Sequence, residues 1–154
     1  MNDQEYFDEA GKEMAKNGRI LSTLLRGRVD DDILALKYNI AREKYIHGDY
    51  EGAVEDSLYL IMSDLSNEKY YTLFSLCLYE KGIYEKAINI FLYSLSINNY
   101  NPIALYGLSK CLVKIGKYEE ARETIQIAIQ QSNEWPEKWM AVNILSHELI
   151  DSLH

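Results

Sequence analysis

The chain is poor in residues that carry chemistry, with two cysteines and three histidines among 154 residues. His47 in a turn, His147 on a polar helical face and His154 at the terminus have no ligand or triad partner nearby in sequence, so they read as solvated surface. There is no glycine-rich phosphate loop, H-E-x-x-H, C-x-x-C or G-x-S-x-G, which argues against an enzyme and gives no reason to expect a cofactor or metal. Asp30, Asp31 and Asp32 lack the ligand spacing and central glycine of an EF-hand loop and are read as the N-cap of the following helix. A positive excess is missing too: 16 Lys and Arg face 24 Asp and Glu, a net charge of -8 that repels phosphate, excludes nucleic acid and favours a basic or apolar partner. No apolar run approaches the ~20 residues of a membrane span. The opening Met1, Asn2, Asp3, Gln4, Glu5 has neither part of a secretory signal, so a cytoplasmic protein without stable membrane insertion is expected.

What the chain does have is a period. The pattern G-x-Y-x-x-A occurs at Gly48, Tyr50, Ala53, at Gly82, Tyr84, Ala87 and at Gly116, Tyr118, Ala121, each 34 residues after the last. That period, with glycine at the turn and alanine in the following helix, marks the tetratricopeptide helix-turn-helix repeat. Glycine lets the chain reverse between two antiparallel helices, and alanine lets their backbones approach. Setting repeat starts near 34, 68 and 102 puts small residues, Ala41, Ser75 and Ser109, at position eight, where the paired helices touch. Position seven, facing each repeat's core, holds Ile40, Phe74 and Leu108. The second helices carry Val54, Leu58 and Ile61, then Ile88, Phe91 and Leu95, then Ile125, Ala128 and Ile129, spacings that suit buried stripes. The first repeat fits less well, with Lys37 and Lys44 at usually apolar positions and Ser57 where an aromatic is common. Cys77 and Cys111 share position ten of successive repeats, where axes lie about 8–10 Å apart, beyond disulfide reach, and are read as reduced thiols packed as small hydrophobes.

The expected fold is all-α: three tandem repeats over residues 29–133 forming a short right-handed superhelix, an N-terminal helical arm over 1–28 and a C-terminal capping helix over 134–154. In the arm, Tyr6, Phe7, Ala10 and Met14 make a narrow stripe ending near Gly18, and Ile20, Leu21, Leu24 and Leu25 mark a second short amphipathic helix. Ser132 and Asn133 offer N-caps to the last helix and Pro136 suits its first turn. Trp135, Trp139, Val142, Leu145 and Leu149 form the stripe expected to cover the end of the stack, leaving Lys138, Asn143, His147 and Asp151 to water.

Stacking aligns positions two, five, nine and twelve of each repeat's first helix along a concave groove. Beyond Ala35, these are Tyr38, Arg42 and Tyr45; Lys69, Thr72, Leu76 and Tyr79; Ile103, Tyr106, Lys110 and Val113. Tyrosine offers a large apolar body and a hydroxyl at low entropy cost, so this mixed surface suits an extended peptide with apolar anchors. With 13 tyrosines, others must simply pack: Tyr50, Tyr84 and Tyr118 are repeat-structural and Tyr71 belongs to the core.

The chain resembles the class II chaperones of bacterial type III secretion systems, small cytosolic tetratricopeptide proteins that hold hydrophobic translocators. The resemblance is carried by Gly18 with Ile20, Leu21 and Leu24, by Val29 and Asp31, by Tyr38, Ala41, Tyr45, Gly48, Tyr50 and Ala53, by Cys77 and Cys111, and by residues 82–91 and 102–121. It implies binding of pore-forming translocator subunits before export, with an N-terminal P-x-L-x-x-P segment extended in the groove. It also implies a homodimer made by the arm, where Phe7, Met14, Ile20, Leu21 and Leu24 are the candidate contacts. The aromatic that frequently follows the position-eight alanine in that family is Arg42 here, which suits a more polar or acidic neighbour. A general repeat scaffold joining two proteins, or a regulatory adaptor, is the competing reading.

Overall fold

The computed structural model describes residues 30–153, together with Asp8 and Lys12. The arm residues Phe7, Met14, Ile20, Leu21 and Leu24 lie outside the described residues. Seven helices and no strand are found among the described residues: α1 (Asp31–Ile46), α2 (Tyr50–Ser63), α3 (Glu68–Glu80), α4 (Tyr84–Ile97), α5 (Pro102–Lys114), α6 (Tyr118–Glu134) and α7 (Pro136–Ser152). Pairs α1/α2, α3/α4 and α5/α6 are the three repeats. The first starts three residues before the expected position 34, because Asp30 caps it by accepting from the Asp32 amide at 3.1 Å.

Each repeat reverses in the same way. Gly48, Gly82 and Gly116 have φ of 82°, 77° and 81°, a region that a Cβ disfavours. The amides of Asp49, Ile83 and Lys117 reach back to the carbonyls of Lys44, Leu78 and Leu112 at 2.8, 2.9 and 2.9 Å, so three identical Schellman endings satisfy carbonyls that the helix leaves free. Between repeats, Asn67 and Asn101 cap α3 and α5 through their side-chain oxygens, and Pro102 opens α5.

The small residues do what their spacing requires: Ala41, Ser75, Ser109, Ala53, Ala87 and Ala121 are fully buried where helices cross. Ser75 and Ser109 donate to the carbonyls four residues back, Tyr71 O and Leu105 O, both at 2.8 Å, so each hydroxyl is satisfied without a neighbour. Phe91, Leu60, Ile61, Leu78, Ile125, Cys77 and Cys111 fill the core. Both cysteines are free, and burial pushes each thiol up to about 12. Tyr71 is core, donating to Leu65 O at 2.9 Å and meeting the Tyr93 ring edge-on.

Five expectations are corrected. Ile40 is 45% exposed, because none of the described residues covers that side of α1. Tyr118 is half exposed at the start of α6 and does not pack like Tyr50 and Tyr84. Lys37 and Lys44 are no misfit: both reach the buried Asp56 of α2, at 3.0 and 2.8 Å, replacing an apolar contact with a two-cation clamp. In α7 the buried face is Val142, Ser146, Leu149 and Ile150, whereas Trp135 and Leu145 are exposed. Ser132 and Asn133 do not cap α7; they sit in the last turn of α6 and accept from Asn143 Nδ2 at 2.8 and 3.0 Å, so Asn143 faces the protein. Pro136 ends α6 by forcing Trp135 out of helical geometry, to φ -134° and ψ 68°.

Candidate functional site

The backbones of the first helices α1, α3 and α5 approach one another in succession, whereas those of α2, α4 and α6 stay further apart, so the array curves with the first helices inside. A cavity of about 550 Å³ opens on this inner face. From α1 come Tyr38, Arg42, Tyr45 and Ile46; from α3, Glu68, Lys69, Thr72, Leu73 and Leu76; from the turn into α5, Asn98, Tyr100 and Asn101; from α5, Ile103; from α7, Lys138 and Trp139. Seven of the expected groove residues thus share one cavity: Tyr38, Arg42, Tyr45, Lys69, Thr72, Leu76 and Ile103.

Tyr79, Tyr106, Lys110 and Val113 lie off this cavity, further along α3 and α5. There the Lys110 ammonium sits 4.2 Å from the Tyr79 ring centroid and 5.3 Å from that of Tyr106, a cation held between two aromatic faces. Burial lowers the pKa of Lys110, opposed by the charge of Glu80.

The tyrosines of the cavity are held in place from behind. Tyr38 packs on Tyr70 with centroids 5.7 Å apart and carries the Arg42 guanidinium 5.9 Å from its own. Tyr45 packs on Tyr50 at 5.7 Å and points its hydroxyl at Glu80 Oε1, 3.5 Å away. Burial raises both phenols, helped at Tyr45 by Glu80, so they stay neutral hydrogen-bonding groups.

Thr72 lines the cavity but has no hydroxyl to spare. Asn101 Nδ2 donates to Thr72 Oγ1 at 3.2 Å, Thr72 and Ser94 share a hydrogen bond at 2.8 Å, and Ser94 donates to Glu68 O at 2.9 Å. The Asn101 amide is bonded in turn to Gln131 Oε1 at 3.0 Å. This buried chain of polar groups ties α3, α4, α5 and α6 together under the cavity, and it fixes the floor on which a ligand would lie.

The residues that sequence reasoning missed come mainly from outside the first helices. Asn98, Tyr100 and Asn101 belong to the connection between the second and third repeats, and their register is set by Tyr100 Oη donating to Gln131 O at 2.6 Å. Its helical spacing puts Trp139 on the end-covering stripe. The chain kinks there, with φ -113° and ψ 16°, and the indole lines the cavity with the Lys138 ammonium 4.7 Å from its centroid. Trp139 Nε1 is buried without a hydrogen-bond acceptor. It acts on the Tyr100 phenol from nearby, opposing the upward push of burial, without meeting hydrogen-bond geometry. Only the tryptophan itself, a residue suited to an apolar wall with one polar edge, could have signalled this in the sequence.

Among the described residues no group of three or more His, Cys, Asp or Glu is placed to hold a metal ion, and no helix is long and apolar enough to cross a membrane. The arrangement offers aromatic walls, hydrogen-bond donors and cations, which is the chemistry of binding.

No curated protein matches the chain in sequence. Solved structures do match in fold. The type III secretion chaperone SycD of Yersinia enterocolitica, in complex with a peptide of the translocator YopD, is similar at TM-score 0.72 and 21% identity, over 82% of this chain and 95% of that one. PcrH of Pseudomonas aeruginosa, in complex with the chaperone binding region of PopD, is similar at 0.74 and 18%, over 82% and 94%. A type III secretion complex from Aeromonas hydrophila is similar at 0.77 and 19%, over 94% and 95%. The family model for anaphase-promoting complex, cyclosome, subunit 3 matches residues 47–128, the stretch that holds all three glycine turns. With that match spanning more than half of its length, the chain belongs to the family of anaphase-promoting complex, cyclosome, subunit 3, whose repeats are of the tetratricopeptide type.

Proposed function

We propose that this protein is a cytoplasmic chaperone that holds an extended segment of a hydrophobic type III secretion translocator against the inner face of α1, α3 and α5. The observation that carries the reading is the cavity itself, where Tyr38, Tyr45, Leu76 and Trp139 supply apolar walls beside the cations Arg42, Lys69 and Lys138. Its support from outside is the fold shared with SycD and PcrH, both of which have been solved with translocator segments. On this reading the site binds a peptide, and none of its residues is assigned a catalytic step. The remaining candidates, Arg42, Lys69, Ile103, Tyr106, Tyr79, Lys110 and Val113, would orient and extend the bound segment. Residues 1–28 would join two copies through Phe7, Met14, Ile20, Leu21 and Leu24.

Calorimetry with the N-terminal segment of a cognate translocator tests this. Tyr45→Ala or Trp139→Ala, each folded by circular dichroism, should weaken binding by about 1–3 kcal/mol, as interface anchors do. Tyr118→Ala on the outer face should leave it unchanged. Groove variants that bind like the parent, alongside outer-face variants that do not bind, would transfer the site to the convex side.

A further inference from the structure

The cations of this acidic chain are sorted by face. Of the eleven lysines and arginines among residues 30–153, six pair with carboxylates: Lys37 and Lys44 with Asp56, Lys81 with Glu51, Lys86 with Asp8, Lys117 with Glu120 and Arg122 with Glu119. Arg42, Lys69, Lys110, Lys114 and Lys138 have no such partner among the described residues. Three of these five, Arg42, Lys69 and Lys138, line the cavity, and Lys110 sits beside it on α5.

With 24 carboxylates in the chain, leaving this face unpaired is a local exception to the overall field. The carboxylates that do come near are engaged. Glu68, in the cavity wall, accepts from Asn98 Nδ2 at 3.3 Å, and Glu80 accepts from Tyr45 Oη at 3.5 Å without closing an ion pair to Lys110. Arg42, Lys110 and Lys138 each rest on an aromatic face, which positions the charge while leaving its hydrogen-bond donors free for an incoming oxygen. Lys110 is half-buried, so a carboxylate brought to it would be attracted more strongly than in open water.

We infer that the segment this groove selects is acidic as well as apolar, with Asp or Glu side chains beside its apolar anchors taken up by Arg42 and Lys69 in the cavity and by Lys110 beyond it. This rests on the groove reading above and adds a selectivity to it: a purely apolar segment would leave four cations desolvated and unpaired, a cost that an acidic one removes.

Two short fluorescein-labelled peptides test it, both with P-x-L-x-x-P anchors, one carrying Glu and the other Gln at the intervening positions. At low salt the Glu peptide should bind about tenfold more tightly, and the gap should narrow as salt screens it. The combined variant Arg42→Gln, Lys69→Gln, Lys110→Gln, Lys138→Gln should lower Glu-peptide affinity far more than Gln-peptide affinity and so close the gap between the two. The salt series on the unaltered protein gives the same information should that variant fail to fold. Equal binding of the two peptides at every salt concentration overturns the acidic preference and leaves the groove standing. Failure of both peptides to bind removes the groove reading together with this inference.

Discussion

Gly107 shows how far a single position can depend on its surroundings. In an exposed helix, Gly→Ala gains about 1 kcal/mol. A Cβ built on Gly107 in α5, however, would run into the buried ring of Phe91 from α4. Gly107→Ala should therefore destabilise the fold by about 1–3 kcal/mol, and Phe91→Leu in the same chain should recover part of the loss; thermal melts of the two variants decide it. Asp56 makes a second residue-scale case. Burial alone would raise its carboxyl, but hydrogen bonds from Lys44 and Lys37 outweigh that and hold it below the usual carboxylate range. A carboxyl depressed in the folded state contributes stability that is present above its unfolded pKa, near about 3.9, and is lost as pH falls through the folded value. The stability gap between the parent and Asp56→Asn should thus be largest near neutral pH and close below about pH 4, read from denaturant midpoints across pH.

At the scale of helices, the seal on the last repeat is α7. It covers Ile125 and Ala128 of α6 with Leu149 and Ile150, and Asn143 clasps Ser132 and Asn133. Deleting residues 136–154 should leave the first two repeats folded while α6 loses protection from hydrogen exchange; full protection of α6 in the truncated chain would show that the helix is ornamental. Legibility divides along the same line. Glycine turns, small crossing residues and second-helix stripes are local and recur every 34 residues, so Gly82, Ser75 and Ala87 could be placed from the chain alone. Trp139 could not, because its direction depends on a kink within a helix that belongs to no repeat. Nor could the Lys37–Asp56–Lys44 clamp, which looks like a defect until two helices are brought together. Half of the groove was readable for a similar reason: Tyr38, Tyr45 and Leu76 follow the repeat register, while Asn98 and Tyr100 follow a connection whose path only packing decides.

The whole molecule is a short stack in which each layer touches only its neighbours, so its stability should fall from the middle to the ends. α3 buries eight of its residues, whereas α1 buries only Leu34 and Ala41, and α7 only Val142 and Ser146. Native-state hydrogen exchange should find the slowest amides in α3, α4 and α5 and near-independent fraying of α1 and α7; uniform protection from Asp31 to Ser152 would mean that the stack opens only as one unit. The contribution of Trp139 and Lys138 to the cavity has a bearing on how such a protein can change over generations. Repeat arrays ordinarily lengthen by duplicating a unit, but a fourth unit inserted ahead of α7 would carry that wall of the cavity away from Tyr38 and Tyr45. Array length and ligand fit are therefore coupled in this chain, and descendants can vary the lining residues far more freely than the number of repeats.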